Sequence, residues 1–331
     1  MAIRTCLIIG AGLSGLIAAR TLQQHGVQVT VLDKGRGVGG RMATRHIDKA
    51  VFDHGAQYFT ARDDRFVRLV NKWIEAGIVV EWAQGFHAAQ KGEITPAGLG
   101  QARYRGKYGM TDIPKYLAQG LDVRLEQTVT RVDLRDDGWH VAVQSGAVFN
   151  AQALLLTPPI PQSLQLLDTG SYRLPENIRA ELEVVGATYA PCFAVMATLD
   201  RPSQIPDPGS LWLSGNPVSW IADNHCKGIS PNAYAVTIHA GTGFSREHFD
   251  HDQDEVAHLM LDACSEWLGA AVCNYQVHRW RYSIPELVYS EPCLFMPGKY
   301  PLAMAGEAYF GPRVEGAAMS GLMAAEQLVT S

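Results

Sequence analysis

The segment CLIIGAGLSGLIAARTLQQHGVQVTVLDKG, residues 6–35, decides the fold. A short apolar run meets a glycine-rich turn, an amphipathic stretch follows, and a second apolar run ends on Asp33. In a βαβ unit that binds a dinucleotide, one glycine permits the tight turn, a second lets the pyrophosphate approach the backbone, and a third lets the helix pack closely on the strand. Gly10, Gly12 and Gly15 have this spacing. The segment therefore predicts a Rossmann-like unit with a bound dinucleotide.

The start of the predicted helix, which holds Leu13 and Ser14, is expected to face the phosphates. A helix N-terminus presents free N–H groups and a partial positive charge. Asp33 is positioned to accept hydrogen bonds from the adenosine ribose, and Lys34 follows it. Because a carboxylate would repel a 2′-phosphate, we expect this site to disfavour NADP.

A second glycine-rich loop, GRGVGGRMATR, occupies residues 35–45. NAD-binding Rossmann units do not need such a loop, whereas flavin amine oxidases carry R-x-G-G-R-x-x-[ST] at this place. Arg36, Gly40 and Arg41 resemble that motif, although Gly37 lies where the pattern is looser. Guanidinium groups pair well with phosphate oxygens, because their fork is planar and always charged. The alternative interpretation is a solvated basic turn.

The stretch VFDHGAQYF, residues 51–59, resembles the segment that flavin amine oxidases lay along the isoalloxazine ring. Gly55 and Ala56 would allow the backbone to approach the flat ring closely. A plain strand and turn is the alternative. The predicted cofactor contacts in this stretch are His54, Gly55, Ala56, Gln57 and Tyr58.

The C-terminal stretch LAMAGEAYFGPRVEGAAMSG, residues 302–321, resembles the closing motif of the same superfamily. The resemblance implies that Glu307 reaches the ribityl and phosphate region. A helix starting near Val314 would point its positive end at the flavin pyrimidine edge and stabilise negative charge on reduction. The motif contains no cysteine, which implies FAD held noncovalently. Its predicted cofactor contacts are Gly306, Glu307, Val314, Glu315, Gly316 and Ala317.

Strand and helix patterns between these motifs predict an α/β fold. We expect a Rossmann-like FAD-binding domain with an inserted β-meander, plus a second α+β substrate domain with a mixed or antiparallel sheet. By resemblance, Val129 in the meander would lie beside the adenine. One amphipathic helix is predicted over residues 252–268. The predicted boundaries give residues 1–61, 101–160 and 285–331 to the FAD-binding domain, and residues 62–100 and 161–284 to the substrate domain.

Composition limits the remaining function classes. The net charge of −5 over 331 residues gives no reason to expect nucleic acid or an anionic membrane surface as a partner. The six cysteines form no C-x-x-C pair, so they predict reduced thiols in a cytoplasmic protein, with no disulfide frame and no metal site. No apolar run reaches the length of a membrane span. We expect a monomer or weak dimer.

The whole chain resembles the renalases, the small branch of the FAD-dependent amine oxidase superfamily, and especially its bacterial members. The resemblance implies hydride transfer from isomeric (2- or 6-) dihydro-NAD(P) to the flavin, release of NAD(P)+, and reduction of dioxygen to hydrogen peroxide. The implied partners are this dihydropyridine nucleotide and dioxygen. Besides the closing motif, the segments that carry the resemblance are DHGAQYFTAR (53–62), WIADN (220–224) and HRWRYSIP (278–285).

Such chemistry needs a donor carbon stacked near the flavin with water excluded. It needs neither a metal nor a general base, because the dihydropyridine nitrogen lone pair expels the hydride. For each aromatic candidate the alternative is core packing, and His239 on a strand is typical of a structural histidine. Trp280 is also a predicted cofactor contact. The candidate substrate residues are Tyr104, Trp220, Asn224, His239, Trp280 and Tyr282.

Two other functions stay open at this stage. One is a flavin amine oxidase acting on a small amine, which often has a lysine near the flavin. The only lysines after Lys115 are Lys227 and Lys299, and neither lies in a matching motif. The other is a non-catalytic redox sensor that binds FAD.

Overall fold

The computed structural model describes residues 3–90, 92–96, 98, 100–213 and 216–330. The strands in chain order are β1 (Thr5–Ile9), β2 (Gln28–Leu32), β3 (Thr44–Ile47), β4 (Ala50–Asp53), β5 (Val79–Ala83), β6 (His87–Gln90), β7 (Glu93–Thr95), β8 (Arg103–Gly106), β9 (Asp122–Arg124), β10 (Val129–Arg135), β11 (Gly138–Val143), β12 (Val148–Ala151), β13 (Ala153–Leu156), β14 (Tyr189–Leu199), β15 (Ser210–Leu213), β16 (Val218–Asp223), β17 (Tyr234–Ala240), β18 (Val272–Pro285), β19 (Leu294–Met296) and β20 (Leu302–Met304).

The helices in chain order are α1 (Leu13–Gln24), α2 (Asp64–Glu75), α3 (Asp112–Ala118), α4 (Ile160–Asp168), α5 (Glu176–Ala187), α6 (Thr242–Glu247), α7 (Gln253–Ala263), α8 (Ser265–Leu268), α9 (Glu307–Phe310) and α10 (Val314–Thr330). A 3₁₀ turn spans Gly40–Met42. Among the described residues, none of these helices combines the length and apolar character needed to cross a bilayer.

The first sheet has the strand order β19-β20-β13-β1-β2-β9. Its pairs are parallel except for β19 against β20. The apolar run at 6–9 is almost fully buried, as expected for a central strand covered on both faces. The predicted α/β class with a Rossmann-like unit is confirmed.

Helices α1 and α10 lie against each other beside this sheet. A side chain on Gly321 of α10 would stand 2.2 Å from the carbonyl oxygen of Ser14. One on Gly15 of α1 would stand 2.1 Å from the carbonyl oxygen of Gly10. Both contacts are too short for any Cβ, so these glycines set how closely the first and last helices approach the dinucleotide turn.

The predicted meander is the antiparallel sheet β10-β11-β12. The second large sheet has the order β18-β14-β17-β16-β15-β6-β7, and every pair is antiparallel except β15 with β6. It is the mixed sheet expected for the second half of the fold.

The single helix predicted over residues 252–268 is wrong. Asp252 caps α7 as expected, since its carboxylate accepts hydrogen bonds from the next turn. The helix then ends at Cys264, whose φ of −108° and ψ of 4° leave the helical region. The short α8 follows, and its Trp267 carbonyl accepts a 2.9 Å hydrogen bond from Gln204 N. Tertiary contact with the loop after β14 thus overrides the local amphipathic pattern.

Candidate active site

The glycine turn between β1 and α1 forms an open cradle. Gly10 has a φ of 108°, and a side chain there would stand 2.4 Å from Thr157 Oγ1. A Cβ on Gly12, by contrast, would meet nothing within 4 Å. Helix α1 begins at Leu13 with no side-chain cap and no acidic residue in its first turn, and the buried Ser14 hydroxyl has no partner. Polar donors facing empty space at a helix N-terminus fit a pyrophosphate.

Asp33 follows β2 at the edge of this cradle. Its carboxylate accepts hydrogen bonds of 2.6 Å from the backbone N–H groups of Ala11 and Gly35. Its carbonyl accepts one of 2.8 Å from Gln127 N, which brings the start of β10, and with it Val129, alongside. The arrangement suits the ribose and adenine of a dinucleotide. Exposed side chains flank it at Lys34 and Arg36.

The second glycine-rich loop packs against the first, because a Cβ on Gly40 would lie 3.7 Å from Gly12 Cα. Arg41 in this loop pairs with both carboxylate oxygens of Glu307. The Tyr189 hydroxyl donates to the same carboxylate at 2.7 Å. Burial raises the pKa of Glu307, but the charge and hydrogen bonds of Arg41 outweigh it and hold the pKa below its usual value. This ion pair and the Tyr189 hydrogen bond therefore join the second glycine-rich loop, the closing motif and β14.

Residues 53–58 face Arg41 and are called the facing segment. A side chain on Gly55 would stand 2.1 Å from the Arg41 carbonyl oxygen, which also accepts a 2.8 Å hydrogen bond from Ala56 N. Gln57 donates its amide to the Asp53 and Gly55 carbonyls, and its Oε1 atom is buried without a partner. Position 55 thus requires glycine, because any side chain there would collide with the backbone of Arg41.

His54 is the centre of a cluster of imidazoles and indoles. Its carbonyl accepts hydrogen bonds from Trp280 Nε1 at 2.9 Å and from His239 Nε2 at 3.2 Å, so His239 carries its proton on Nε2. Its ring stacks on Trp280 with centroids 5.3 Å apart and meets His278 edge-on at 5.0 Å. The His54 Nδ1 atom is buried without a partner.

The three histidines of this cluster are neutral at physiological pH. Burial, together with the charges of His278 and Arg45, lowers the pKa of His54 to about 3. Burial likewise lowers the pKa values of His239 and His278 to about 4. Within the described part of the chain, no group of three or more His, Cys, Asp or Glu side chains is arranged to hold a metal ion.

An aromatic wall continues from the facing segment. Tyr58 lies 4.9 Å from Phe86 and 5.8 Å from Trp220, measured between ring centroids. Trp220 is 3% exposed, and its Nε1 atom has no partner. Trp220 pairs across the sheet with His239, so β16 and β17 bring both side chains to the facing segment.

The other predicted substrate residues lie elsewhere. Tyr104 packs against Phe59, with centroids 5.6 Å apart, in the core of the first sheet. Asn224 is fully buried and donates a 2.9 Å hydrogen bond to Thr237, which in turn donates to the Asp53 carbonyl. Tyr282 meets Tyr189 edge-on at 5.6 Å. The Asn224 Oδ1 atom is buried without a partner, and the contact of Tyr104 and Asn224 with substrate stays a prediction.

The closing motif is placed by backbone contacts. Glu315 accepts hydrogen bonds of 2.6 Å and 2.7 Å from the N–H groups of Arg62 and Asp63, next to the start of α2. A Cβ on Gly316 would lie 2.0 Å from the Gly311 carbonyl oxygen. Gly306 donates to Ser320 Oγ at 3.0 Å, and Val314 and Ala317 lie in the first turns of α10.

The sequence did not predict a buried ion pair at Lys227. Its ammonium donates 2.7 Å hydrogen bonds to Asp53 Oδ2 and the Gln57 carbonyl and lies 4.7 Å from the centre of the Trp82 ring. The Lys227 and Asp53 side chains are both completely buried. The two residues are 174 positions apart, so no spacing rule links them. Lys227 lies in the turn after β16 and Asp53 at the end of β4, so only the folded chain shows that the two charges are buried together.

Comparison with known families agrees with this site. Residues 8–73 match the NAD(P)-binding Rossmann-like domain, and residues 80–329 match the flavin containing amine oxidoreductase family. The second match covers more than half of the chain, and the chain belongs to that family. It is a flavin-dependent oxidoreductase, and its fold and open phosphate cradle suit such a cofactor.

Among individual relatives, the chain is similar to renalase from Mus musculus. The two sequences are 27% identical over 301 residues, covering 84% of each protein. The predicted resemblance to the renalases is thereby confirmed. Putrescine oxidase from Kocuria rosea is 36% identical over only 69 residues, or 21% of this chain and 14% of that protein. A solved structure of wild-type putrescine oxidase bound to putrescine covers 99% of both chains with a TM-score of 0.74 at 15% identity, a likeness of fold.

Proposed function

We propose that the protein binds FAD noncovalently and oxidises isomeric (2- or 6-) dihydro-NAD(P), releasing NAD(P)+ and passing the electrons to dioxygen to give hydrogen peroxide. The observation that carries the proposal is the aromatic and imidazole surface beside the facing segment, where Trp220 and His54 each keep a buried polar atom without a partner. A flat ring with a carboxamide would suit both features. Similarity to renalase over most of both chains supports the choice of substrate.

Each part of the dinucleotide cofactor has candidate protein contacts. The turn at Gly12 would hold the pyrophosphate, and Asp33 with Val129 would hold the adenosine. The facing segment would lie along the isoalloxazine ring, and α10 would approach it with its N-terminus. We propose noncovalent attachment because the closing motif, residues 302–321, contains no cysteine, and Cys293 lies before it, just ahead of β19.

The flavin supplies the hydride acceptor when bound. The protein's part is to orient the donor ring and to exclude water. Trp220 offers a ring and an unpartnered N–H, whereas Trp280 offers only its ring, because the His54 carbonyl accepts its N–H and also fixes His239. The neutral imidazoles add no charge beside the donor, so they do not oppose the positive charge that develops on the pyridine ring. No proton needs to be removed, because the ring nitrogen lone pair drives hydride loss.

Anaerobic stopped-flow mixing tests the proposal directly. The holoenzyme is mixed with borohydride-generated 2- and 6-dihydro-NAD while the oxidised flavin band is followed, with ordinary 4-dihydro-NADH as the matched control. We expect rapid bleaching with at least one isomer, slow bleaching with the control, and peroxide after air is admitted. Rapid bleaching by ordinary NADH would identify a reductase instead.

A flavin amine oxidase is the second candidate, because the family match itself carries that name. The buried Lys227 argues against it, since its ammonium is fully engaged by Asp53 and Gln57 and is not positioned in an open pocket. Peroxide from small amines but not from dihydropyridines would favour this candidate. Flavin that no donor bleaches would favour a redox sensor.

The division into an FAD-binding domain and a substrate domain at the predicted boundaries, the cytoplasmic location and the monomeric or weakly dimeric state stay predictions. Limited proteolysis with and without FAD would test the boundaries. Light scattering of the purified holoenzyme would test the oligomeric state.

A further inference from the structure

Three arginines gather at the outer edge of the aromatic wall. The Arg103 guanidinium lies over the Tyr58 ring, with its central carbon 5.6 Å from the ring centroid. Arg62 donates from Nε to the Gln101 side chain at 2.8 Å, and Arg103 donates to the Gln101 carbonyl at 2.6 Å. Gln101 therefore holds the two guanidinium groups side by side.

Arg313 joins this group from the other end of the chain. It immediately precedes α10, and Glu315 two residues later binds the Arg62 N–H at 2.6 Å. Burial raises the pKa of the Tyr58 hydroxyl, and the positive charges of Arg103 and Arg313 partly offset this rise.

The positive charge of this arginine group is not balanced by nearby carboxylates. Among the ion pairs of the described residues, none includes Arg62, Arg103 or Arg313. The Glu315 carboxylate accepts hydrogen bonds from the backbone N–H groups of Arg62 and Asp63, and the Asp63 side chain pairs with Arg65. The Arg103 Nε–H is also buried without a partner. Three unpaired cations in a chain of net charge −5 indicate an anionic ligand.

We propose that Arg103 and Arg313, assisted by Arg62, bind the pyrophosphate of the dinucleotide substrate while its nicotinamide ring lies against Trp220. The proposal rests on the proposed function for the identity of the ring. Its chemistry is general, since guanidinium forks match phosphate oxygens in pairs. The dinucleotide cradle at Gly12 is expected to hold FAD, so the substrate's phosphates need a separate site, and Tyr58 connects the arginines to the aromatic wall.

The first measurement is binding of ADP-ribose to the FAD-loaded protein by titration calorimetry. ADP-ribose carries the pyrophosphate but no nicotinamide, so the result does not depend on any catalytic assumption. We expect Arg103→Gln and Arg313→Gln each to weaken binding about tenfold, as for loss of a hydrogen bond to a charged group. Arg103→Lys should recover part of the affinity. Arg201→Gln, which removes an exposed charge beyond the far end of β14, should leave it unchanged.

The second measurement compares flavin reduction by dihydro-NAD isomers with reduction by the corresponding dihydronicotinamide ribosides, which lack phosphate. The arginine variants should raise the apparent Kd for the dinucleotide without changing the limiting rate, and should leave the riboside unaffected. Equal losses for both donors, or ADP-ribose affinity unchanged in the double variant, would overturn the proposal. If no dihydropyridine reduces the wild-type flavin but ADP-ribose binding still depends on the arginines, the proposed function fails and the anion site stands.

Discussion

Replacing Lys227 with methionine removes one half of a charge pair that has no access to water. The Lys227 and Asp53 side chains are completely buried, and the ammonium contacts Asp53, the Gln57 carbonyl and the face of Trp82. In the variant, the Asp53 carboxylate keeps donors only from Thr44 Oγ1 at 2.6 Å and Met110 N at 2.8 Å. A buried anion is then left without its counter-charge.

Breaking a buried ion pair on one side costs about 3–5 kcal/mol of folding free energy. With a urea dependence of about 3 kcal/mol per molar for a chain of this size, the unfolding midpoint should fall by about 1–2 M. Because Asp53 begins the facing segment, flavin should also be released at lower urea. Asp53→Asn combined with Lys227→Met should recover part of the loss, since no uncompensated charge remains.

The assay is urea unfolding followed by tryptophan and flavin fluorescence at saturating FAD. Lys299→Met is the matched control, because Lys299 is an exposed lysine bonded only weakly to the Asp136 carbonyl at 3.3 Å. A pH series adds a second check. Burial lowers the pKa of Lys227 in the folded state, so the folded chain binds fewer protons than the unfolded chain between this lowered pKa and the usual lysine pKa, and stability should rise with pH in that window. Asp53→Asn should extend this rise to lower pH, because Asp53 keeps the pKa of Lys227 from falling further. A midpoint for Lys227→Met within 0.3 M of the control, on the order of experimental error, would refute the reasoning.

Four further outcomes are expected. Gly12→Val should fold but purify without flavin, because its side chain would meet no protein atom. Gly321→Val should instead be less stable, because its side chain would collide with the backbone of Ser14. Flavin absorbance and unfolding curves distinguish the two results. Trp220→Ala should slow flavin reduction and weaken binding of the dinucleotide substrate at unchanged FAD content. Asn224→Ala should cost on the order of 1 kcal/mol in substrate binding. Stopped-flow flavin reduction measures both effects, and the dihydro-NAD and dihydro-NADP substrates should react alike. The rate of flavin reduction should be flat from about pH 6 to pH 9, since the imidazoles around His54 have pKa values of about 3–4 and lose their charge below this range. Acid precipitation should release intact FAD into the supernatant, and flavin left on the pellet would contradict noncovalent binding.

The features that could be predicted from the sequence are those whose cause is local. Gly10 needs its positive φ within one turn, and the acid at position 33 follows its own strand, so the motif and its geometry arise together. The approach of Gly55 to the flavin ring stays a prediction, and the close neighbour that the structure shows is the Arg41 carbonyl, fourteen positions earlier in the chain. A pattern can thus mark a crowded position without naming what crowds it.

Contacts between distant segments could not be predicted. The break at Cys264 depends on the loop after β14, and Tyr104 faces the first core because β8 pairs with β5 and bridges to Phe59. The Lys227–Asp53 pair and the Tyr189–Glu307 hydrogen bond join elements whose register only the folded sheets define. Local propensity carries no information on such pairings.

The packing of α1 on α10, with the Arg41–Glu307 pair beside it, has a consequence for synthesis of the chain. The cradle is made of residues near position 10 and residues after position 305, so the ribosome must synthesise all the residues between them before the cofactor site closes. The βαβ unit that carries the phosphate turn is synthesised before the closing motif, and its turn stays open until that motif is made. FAD is then expected to bind late in synthesis, to chains whose second sheet has already formed.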